Sequence, residues 1–232
     1  MMARCIAGTI KGRDRETNQD TCSTLTVGNT MVMFVADGAT NSYKSGEFMY
    51  AFCECTLRQL SAMNNSVTRE DIESSLASAH AEVRLSFPAA KGSYLLLVID
   101  PSQNQQMCFY KGDCRVGLVE ETQICWLNFP ENIPYAEGIT EEELLCSSPD
   151  RHTLYKCLKS RRYEEPSYLE LNLDLNRPIV LATDGFWSKH PATLPPFINE
   201  SNVQQHIMNL NCGDDATAII RVANYTNEQC QT

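Results

Sequence analysis

The sequence predicts an α+β fold whose sheets are antiparallel. Two observations favour this class. Short β-prone segments come in consecutive runs, and two amphipathic helical segments follow each other directly instead of alternating with strands. A length of 232 residues suits one domain. Since no repeat, low-complexity tract or Gly/Ser linker divides the chain, a single domain over residues 1–232 is expected.

Short apolar segments separated by polar or glycine-containing turns indicate the strands. Three precede the helices and six follow them: Ile6–Ile10, Cys22–Val27, Met31–Ala36, then Tyr94–Ile99, Gln106–Lys111, Arg115–Glu120, Ile124–Leu127, Ile179–Ala182 and Ala216–Val222.

Two helical segments lie between these runs of strands. Apolar side chains recur near the helical period over Ser45–Met63. Thr68, followed three residues later by Asp71, resembles a capping box and predicts the start of a second helix running towards Leu85. A further short helix is predicted over Val203–Leu210.

The stretch from about residue 128 to residue 176 differs in character from the rest of the chain. It is polar, and its prolines interrupt any regular pattern: Pro130, Pro134, Pro149 and Pro166. We predict an irregular insert here, with short helical turns over Glu141–Leu145 and His152–Leu158.

The charge balance limits the class of partner. The chain has 29 acidic and 19 basic side chains, which gives a formal net charge of −10. Nucleic acid is therefore not expected as a partner, because basic contacts to phosphate dominate that kind of binding. Apolar runs such as Leu95–Ile99 are too short to span a bilayer, and the first residues lack the apolar core of a signal peptide. We expect a cytoplasmic protein without membrane contact.

Aspartates recur at the ends of predicted strands: Asp20, Asp37, Asp113, Asp184 and Asp214. Carboxylates that converge in one place repel each other unless a cation lies between them. Oxygen ligands of this kind suit Mg²⁺ or Mn²⁺ better than zinc. A single Asp-Gly pair is explained well enough by an ordinary turn, but the whole series favours a metal site.

Five short motifs contain these aspartates. They are Arg15–Asp20, Val35–Gly38, Gly112–Arg115, Ala182–Trp187 and Gly213–Thr217. In this order and spacing the chain resembles the metal-dependent serine/threonine protein phosphatases of the PPM family (type 2C), and its length resembles their compact bacterial members. The resemblance runs from about residue 8 to residue 222.

The resemblance implies four layers, in which helices flank a sandwich of two antiparallel sheets with a two-metal site at one end. By position in the motifs, Asp37 would bridge both ions and the Gly38 carbonyl would bind one of them. Asp184 and Asp214 would bind the other ion, while Asp113 would form a third, weaker site together with Asp184.

Two further residues and the insert take roles by the same resemblance. Arg15 would grip the substrate phosphate, since a guanidinium can hold two phosphate oxygens at once. Asp20 would reach the ions through water. The insert at about residues 128–176 would form a variable flap beside the active site.

The reaction implied is hydrolysis of phosphoserine and phosphothreonine in protein substrates, opposite a serine/threonine kinase. A water activated between two Mn²⁺ or Mg²⁺ ions would attack phosphorus directly. The protein would act as a monomer. Ala39 stands where the family commonly has His or Met, so protonation of the leaving group would fall to water.

Two other functions stay open. A catalytically silent relative could bind phosphoproteins or act as a scaffold, and a phosphatase of this kind could act on small phosphoesters. Silent relatives typically lose a metal carboxylate, so the presence of Asp37, Asp184 and Asp214 favours an enzyme.

The remaining candidate groups are predicted to be structural. The 11 cysteines lack a Cys-x-x-Cys pair and are expected to be reduced thiols, mostly buried. Trp187 is predicted to pack in the core, and His80 to have a structural role on the second helix. The other histidines, His152, His190 and His206, are predicted on loops or surfaces.

Overall fold

The computed structural model describes residues 4–63, 67–121, 123–190 and 202–222. The strands are β1 (Cys5–Ile10), β2 (Asp20–Val27), β3 (Thr30–Gly38), β4 (Lys91–Asp100), β5 (Gln105–Lys111), β6 (Arg115–Glu120), β7 (Gln123–Trp126), β8 (Leu158–Lys159), β9 (Ser167–Glu170), β10 (Ile179–Ala182) and β11 (Ala216–Arg221). The helices are α1 (Ser45–Ser61), α2 (Arg69–Val83), α3 (Ile133–Ala136), α4 (Glu142–Ser147), α5 (Asp184–Trp187) and α6 (Asn202–Met208).

The strands form two antiparallel sheets. The first has five strands in the order β1-β11-β10-β6-β7. The second has six strands: β2-β3-β4-β5-β9 form a continuous path, and β8 pairs with β4. Chain neighbours mostly pair within one sheet, whereas β1, β10 and β11 bring distant parts of the sequence together.

The two sheets face each other across an apolar core, and alternation along each strand decides which side chains enter it. On β3, Met33 and Val35 point between the sheets and meet Leu181 and Ile219 of the five-stranded sheet. Phe34, between Met33 and Val35, points to the opposite face. This period of two is the geometry of a pleated strand, and it gives β3 and its neighbour β4 two buried faces.

Helices cover the outer face of each sheet. Phe48 and Phe52 of α1 pack with Phe34 on the outside of the six-stranded sheet, where α2 also contributes. Phe186 of α5 and Ile207 of α6 pack on the outside of the five-stranded sheet. The molecule therefore has four layers, α/β/β/α, which confirms the predicted α+β sandwich.

Predicted and observed elements agree closely in the regular part of the chain. Each of the nine predicted strands is present, with ends that shift by at most a few residues. The side chain of Thr68 accepts a hydrogen bond from the Asp71 backbone N–H, and Asp71 accepts one from the Thr68 backbone N–H, so the capping box is confirmed. None of the helices in the described ranges is both long and apolar enough to cross a membrane.

The insert is more ordered than its sequence suggests. The helical turn predicted over Glu141–Leu145 is present as α4. The helical turn predicted over His152–Leu158 is wrong, because this segment is irregular and bonds to the start of the insert. Ile133 donates its backbone N–H to the Thr153 carbonyl (2.8 Å), and Tyr155 donates to the Glu131 carbonyl (3.1 Å). Later in the insert, β9 adds an edge strand to the six-stranded sheet.

Candidate metal centre and active site

The six-stranded sheet supplies two aspartates to one end of the sandwich. Asp20 is the first residue of β2 and lies opposite Asp37, near the end of β3. On the other side of β3, Asp37 pairs with Ser93 and Gly38 pairs with Gly92 of β4. Gly92 is required there, since a Cβ atom would lie 2.4 Å from the Asp37 carbonyl oxygen.

Three more aspartates come from the ends of the five-stranded sheet and the turn that leads into it. Asp113 precedes β6, Asp184 begins α5 directly after β10, and Asp214 precedes β11. The turn before Asp113 contains Gly112 in the left-handed region (φ 99°), which favours glycine. Ser93 donates a hydrogen bond to Asp113 Oδ1 (2.7 Å) and so links the two sheets at this end.

The predicted site residues meet in one cleft of about 300 Å³. Its walls include five of them: Arg15, Asp37, Asp113, Asp184 and Asp214. Asp20 lies below the cleft, where its Oδ2 accepts a hydrogen bond from the Thr183 hydroxyl (2.7 Å). Gly38 is buried at the end of β3 beside Asp37.

Arg15 and Asp215 show how the chain fixes the edge of this cleft. The Arg15 guanidinium donates from Nε to Asp214 Oδ1 (2.7 Å). The neighbouring Asp215 is buried and takes no part in the cleft, because its two oxygens accept from the backbone N–H groups of Gly12 and Gln19 (both 2.8 Å). Asp215 therefore ties the loop that carries Arg15 to the start of β11.

The clustered carboxylates perturb one another strongly. Burial, with added repulsion from neighbouring carboxylates, raises the pKa of Asp20 to about 8 and that of Asp113 to about 7. The same causes raise the pKa of Asp37 well above its usual range. Burial and Asp184 also raise the pKa of Asp214, although Arg15 opposes this effect. In the absence of a cation, burial and mutual repulsion therefore disfavour the ionised forms of these carboxylates.

The donor set fits hard divalent cations. Oδ1 of Asp20 is buried without a hydrogen-bond partner, which is costly for a carboxylate oxygen in a protein interior. Oxygen donors of Asp37, Asp113, Asp184 and Asp214 line the adjacent cleft. Carboxylate oxygens held on strand ends are ligands that Mg²⁺ and Mn²⁺ prefer.

One residue of the cleft was missed by sequence analysis. His152, predicted on a loop or surface, points from the insert into the carboxylate cluster, where its Nδ1 lies 2.7 Å from Asp184 Oδ2. This hydrogen bond raises the pKa of His152. With Asp184 and Asp214 it forms a group whose ligand atoms lie within 4.8 Å of one another.

The other predicted side chains have mixed outcomes. His190 lies in a loop, which agrees with its predicted loop or surface position, but it is buried and contacts Phe186 and His206. His80 is buried on α2, as expected of a structural residue. Trp187 is fully buried and donates its indole N–H to the Asp113 carbonyl (2.8 Å), so its predicted core position is confirmed.

The cysteines behave as predicted in the part of the chain that the structure describes. The ten cysteines there are all free thiols, and nine of them are buried or half-buried. Burial raises the pKa of Cys5 and Cys22 to about 11, so these thiols are poor nucleophiles near neutral pH.

Comparison with solved structures identifies proteins that share this fold. A PPM Ser-Thr phosphatase from Mycobacterium smegmatis superposes with a TM-score of 0.76 at 15% identity, over 95% of this chain and 98% of that one. A serine/threonine phosphatase from Staphylococcus aureus gives 0.70 at 14% identity, over 97% and 96%. One from S. agalactiae gives 0.74 at 15% identity, over 95% and 100%.

The similarity is one of structure. No protein-family model and no curated protein sequence matches the chain. At 12–15% identity, the solved structures show that the chain has the fold of the PPM serine/threonine phosphatases over nearly its whole length.

Proposed function

We propose that this protein is a metal-dependent protein phosphatase that hydrolyses phosphoserine and phosphothreonine. One observation supports this most. In a fold shared with such phosphatases, four aspartates from both sheets converge on one cleft together with a guanidinium group, and a fifth, Asp20, lies directly below it. Neither feature alone would point to the reaction.

We take the ion-binding roles from the position of each residue in the PPM motifs that the chain resembles. In this proposal Asp37 would be a ligand shared by two Mn²⁺ or Mg²⁺ ions, the Gly38 carbonyl would bind one of them, and Asp184 and Asp214 would bind the other. A third, weaker site would lie between Asp113 and Asp184, whose charges already interact. Two such ions supply an activated water and neutralise charge on the phosphoryl oxygens.

Arg15 and Asp20 complete the machinery in this proposal. Arg15 lines the cleft and is half-buried, so its guanidinium can hold a phosphate in two places while remaining charged. Asp20 lies too deep to touch a substrate and would orient water at the ions through its unpartnered Oδ1. At the rim, Ala39 has no acidic proton to give, so the leaving group takes its proton from water.

We propose a phosphorylated protein as the substrate, opposite a serine/threonine kinase, and a monomer as the working form. Two alternatives remain: a silent relative that binds phosphoproteins, and a phosphatase for small phosphoesters. The full set of aspartates in the cleft argues against the first, because each one costs stability unless it binds a cation.

Phosphate release separates these functions. The purified protein is assayed with a phosphothreonine peptide and with para-nitrophenyl phosphate, in Mn²⁺ and in EDTA. We expect Mn²⁺-dependent turnover of both, lost in EDTA and in Asp184→Asn. Asp150→Asn, which changes an exposed carboxylate of the insert, is the matched control and should keep full activity.

Each other outcome points to a different function. Turnover of para-nitrophenyl phosphate without the peptide would indicate a small-phosphoester phosphatase. No turnover of either substrate by folded, Mn²⁺-loaded protein would contradict the enzyme and leave the silent relative.

A further inference from the structure

His152 stands among the carboxylates that would bind the second ion. Its Nδ1 lies 2.7 Å from Asp184 Oδ2 and 3.6 Å from Asp214 Oδ2, while its side chain is 43% exposed towards the cleft. An ordinary ion pair between a surface histidine and one carboxylate would not require this position. Here one imidazole nitrogen faces two carboxylates that come from different strand ends.

The spacing of these three atoms suits a shared cation. Donor atoms about 2.1 Å from an ion lie about 3.0 Å apart at octahedral angles and about 3.4 Å apart at tetrahedral ones. The two distances from Nδ1, 2.7 and 3.6 Å, bracket these values. An ion could therefore take the place of the hydrogen bond with little movement of the three side chains.

The backbone of the insert fixes His152 in this place. On either side of it, the Arg151 carbonyl accepts from Asn132 Nδ2 (3.1 Å) and the Thr153 carbonyl accepts from the Ile133 backbone N–H (2.8 Å). Asn132 is itself fully buried. The segment is therefore held on both sides of His152, as a metal ligand requires.

We propose that His152 is a nitrogen ligand of the divalent ion held by Asp184 and Asp214. This rests on the proposed function, since it concerns the same metal centre. It also gives that centre a distinct chemistry. Imidazole suits Fe²⁺ and Zn²⁺, whereas Mg²⁺ prefers oxygen ligands. The insert would thereby select the metal as well as border the substrate.

Nitrogen coupling in the electron paramagnetic resonance spectrum of bound Mn²⁺ tests the ligand directly. We expect the intact wild-type protein to show coupling to an imidazole nitrogen, and His152→Ala and His152→Gln to lack it. His206→Ala removes a half-exposed imidazole elsewhere and should leave the coupling unchanged. Circular dichroism checks that each variant is folded.

Calorimetry gives a second readout that does not depend on turnover. We expect His152→Ala to weaken Mn²⁺ and Zn²⁺ binding at one site roughly tenfold or more, with little change for Mg²⁺. His206→Ala should bind all three ions like the wild type.

The outcomes separate the ligand from the function on which it rests. Wild-type protein that binds Mn²⁺ without nitrogen coupling would overturn the ligand assignment alone, and would show that His152 leaves the carboxylates when the ion binds. Equal Mn²⁺ affinity in wild type and His152→Ala would overturn it as well. Wild-type protein that binds no Mn²⁺ would overturn both the ligand and the proposed phosphatase.

Discussion

The sandwich and the insert at residues 128–176 are held in place by different kinds of contact. The sandwich contains three large clusters of buried apolar side chains. In the insert, the buried aliphatic side chains are Leu145, Leu158 and Leu173, and polar contacts also hold the segment in place. Glu131, for example, accepts from the Gly112 backbone N–H (2.9 Å) and from Lys156 Nζ (2.8 Å).

This difference separates stability from site geometry. Apolar burial fixes the strand ends on which the aspartates stand, and it resists single changes because many side chains share it. The insert reaches the site through a few charged and polar bonds. Changes in the insert should therefore alter metal and substrate contacts more than the sandwich itself, and the predictions below test that division.

The largest effect is expected where the two sheets meet at the cleft. Asp37→Asn removes the proposed shared ligand, so turnover with Mn²⁺ should fall roughly 10³-fold or more, since ions of this kind contribute several kcal/mol to the transition state. Because Asp37 is half-buried and strongly repelled by its neighbours, the variant should unfold in EDTA no more easily than the wild type. Phosphate release and urea unfolding measure the two effects. A variant that kept more than a tenth of the activity would refute the assignment.

The next effect concerns the contact that joins the insert to the sandwich. Arg115 has no exposed surface and binds Glu142 through both terminal nitrogens (2.6 and 2.9 Å), with its guanidinium near the rings of Trp126 and Trp187. Glu142→Leu would leave a buried charge unpaired and should cost about 3 kcal/mol of unfolding free energy.

A double variant sharpens this test. Arg115→Met with Glu142→Leu removes both charges and should recover much of the lost stability, as measured by urea unfolding. Glu143→Leu, at an exposed position next to Glu142, should change stability by less than about 0.5 kcal/mol. If the single and double variants were equally unstable, the ion pair would not be what holds the insert.

A third prediction concerns pH in the absence of metal. The pKa of Asp20 is about 8 and that of Asp113 about 7, against about 4 in an unfolded chain. Between these values the folded protein binds more protons than the unfolded one, so its stability falls as pH rises. In EDTA the unfolding temperature should therefore drop by several degrees from about pH 5 to about pH 8. Saturating Mn²⁺ should remove the drop, and a flat profile in EDTA would contradict the charge crowding.

The smallest effect is expected at the start of α2, in an outer helical layer, because this helix supplies no side chain to the cleft. Thr68→Ala removes the capping hydrogen bond to the Asp71 backbone N–H and should cost about 1 kcal/mol. Thermal unfolding should show a midpoint about 2–4 °C lower, with unchanged metal affinity. A change in metal affinity would show that the helical layer and the cleft are coupled.

The regular part of the fold was predictable because local pattern and global packing agree there. Strands such as Met31–Ala36 are apolar on both faces, and β3 is indeed buried between a helix layer and the five-stranded sheet. The conformation of His152–Leu158 could not be predicted from a local pattern. It depends on backbone bonds to Glu131 and Ile133, about twenty residues earlier in the chain, which no local pattern encodes.

The residues of the site likewise fall into those that the sequence predicted and those that it did not. The order of the motifs predicted the aspartates of the cleft and Arg15, because each follows or precedes a strand whose position is fixed by apolar burial. His152 was missed because its place depends on the fold of the insert. The available signal was that the insert, which contains His152, was predicted to form a flap beside the active site. Asp215 gave no signal either, since only the structure shows that it binds backbone rather than cation.

Anomalous diffraction from crystals grown in Mn²⁺ tests the central claim most directly, because it locates ions without relying on turnover. We predict two peaks about 4 Å apart in the cleft, both in contact with Asp37 and one of them with Asp184 and Asp214. No peak among these aspartates in a crystal saturated with Mn²⁺ would contradict the claim that both sheets build a metal centre.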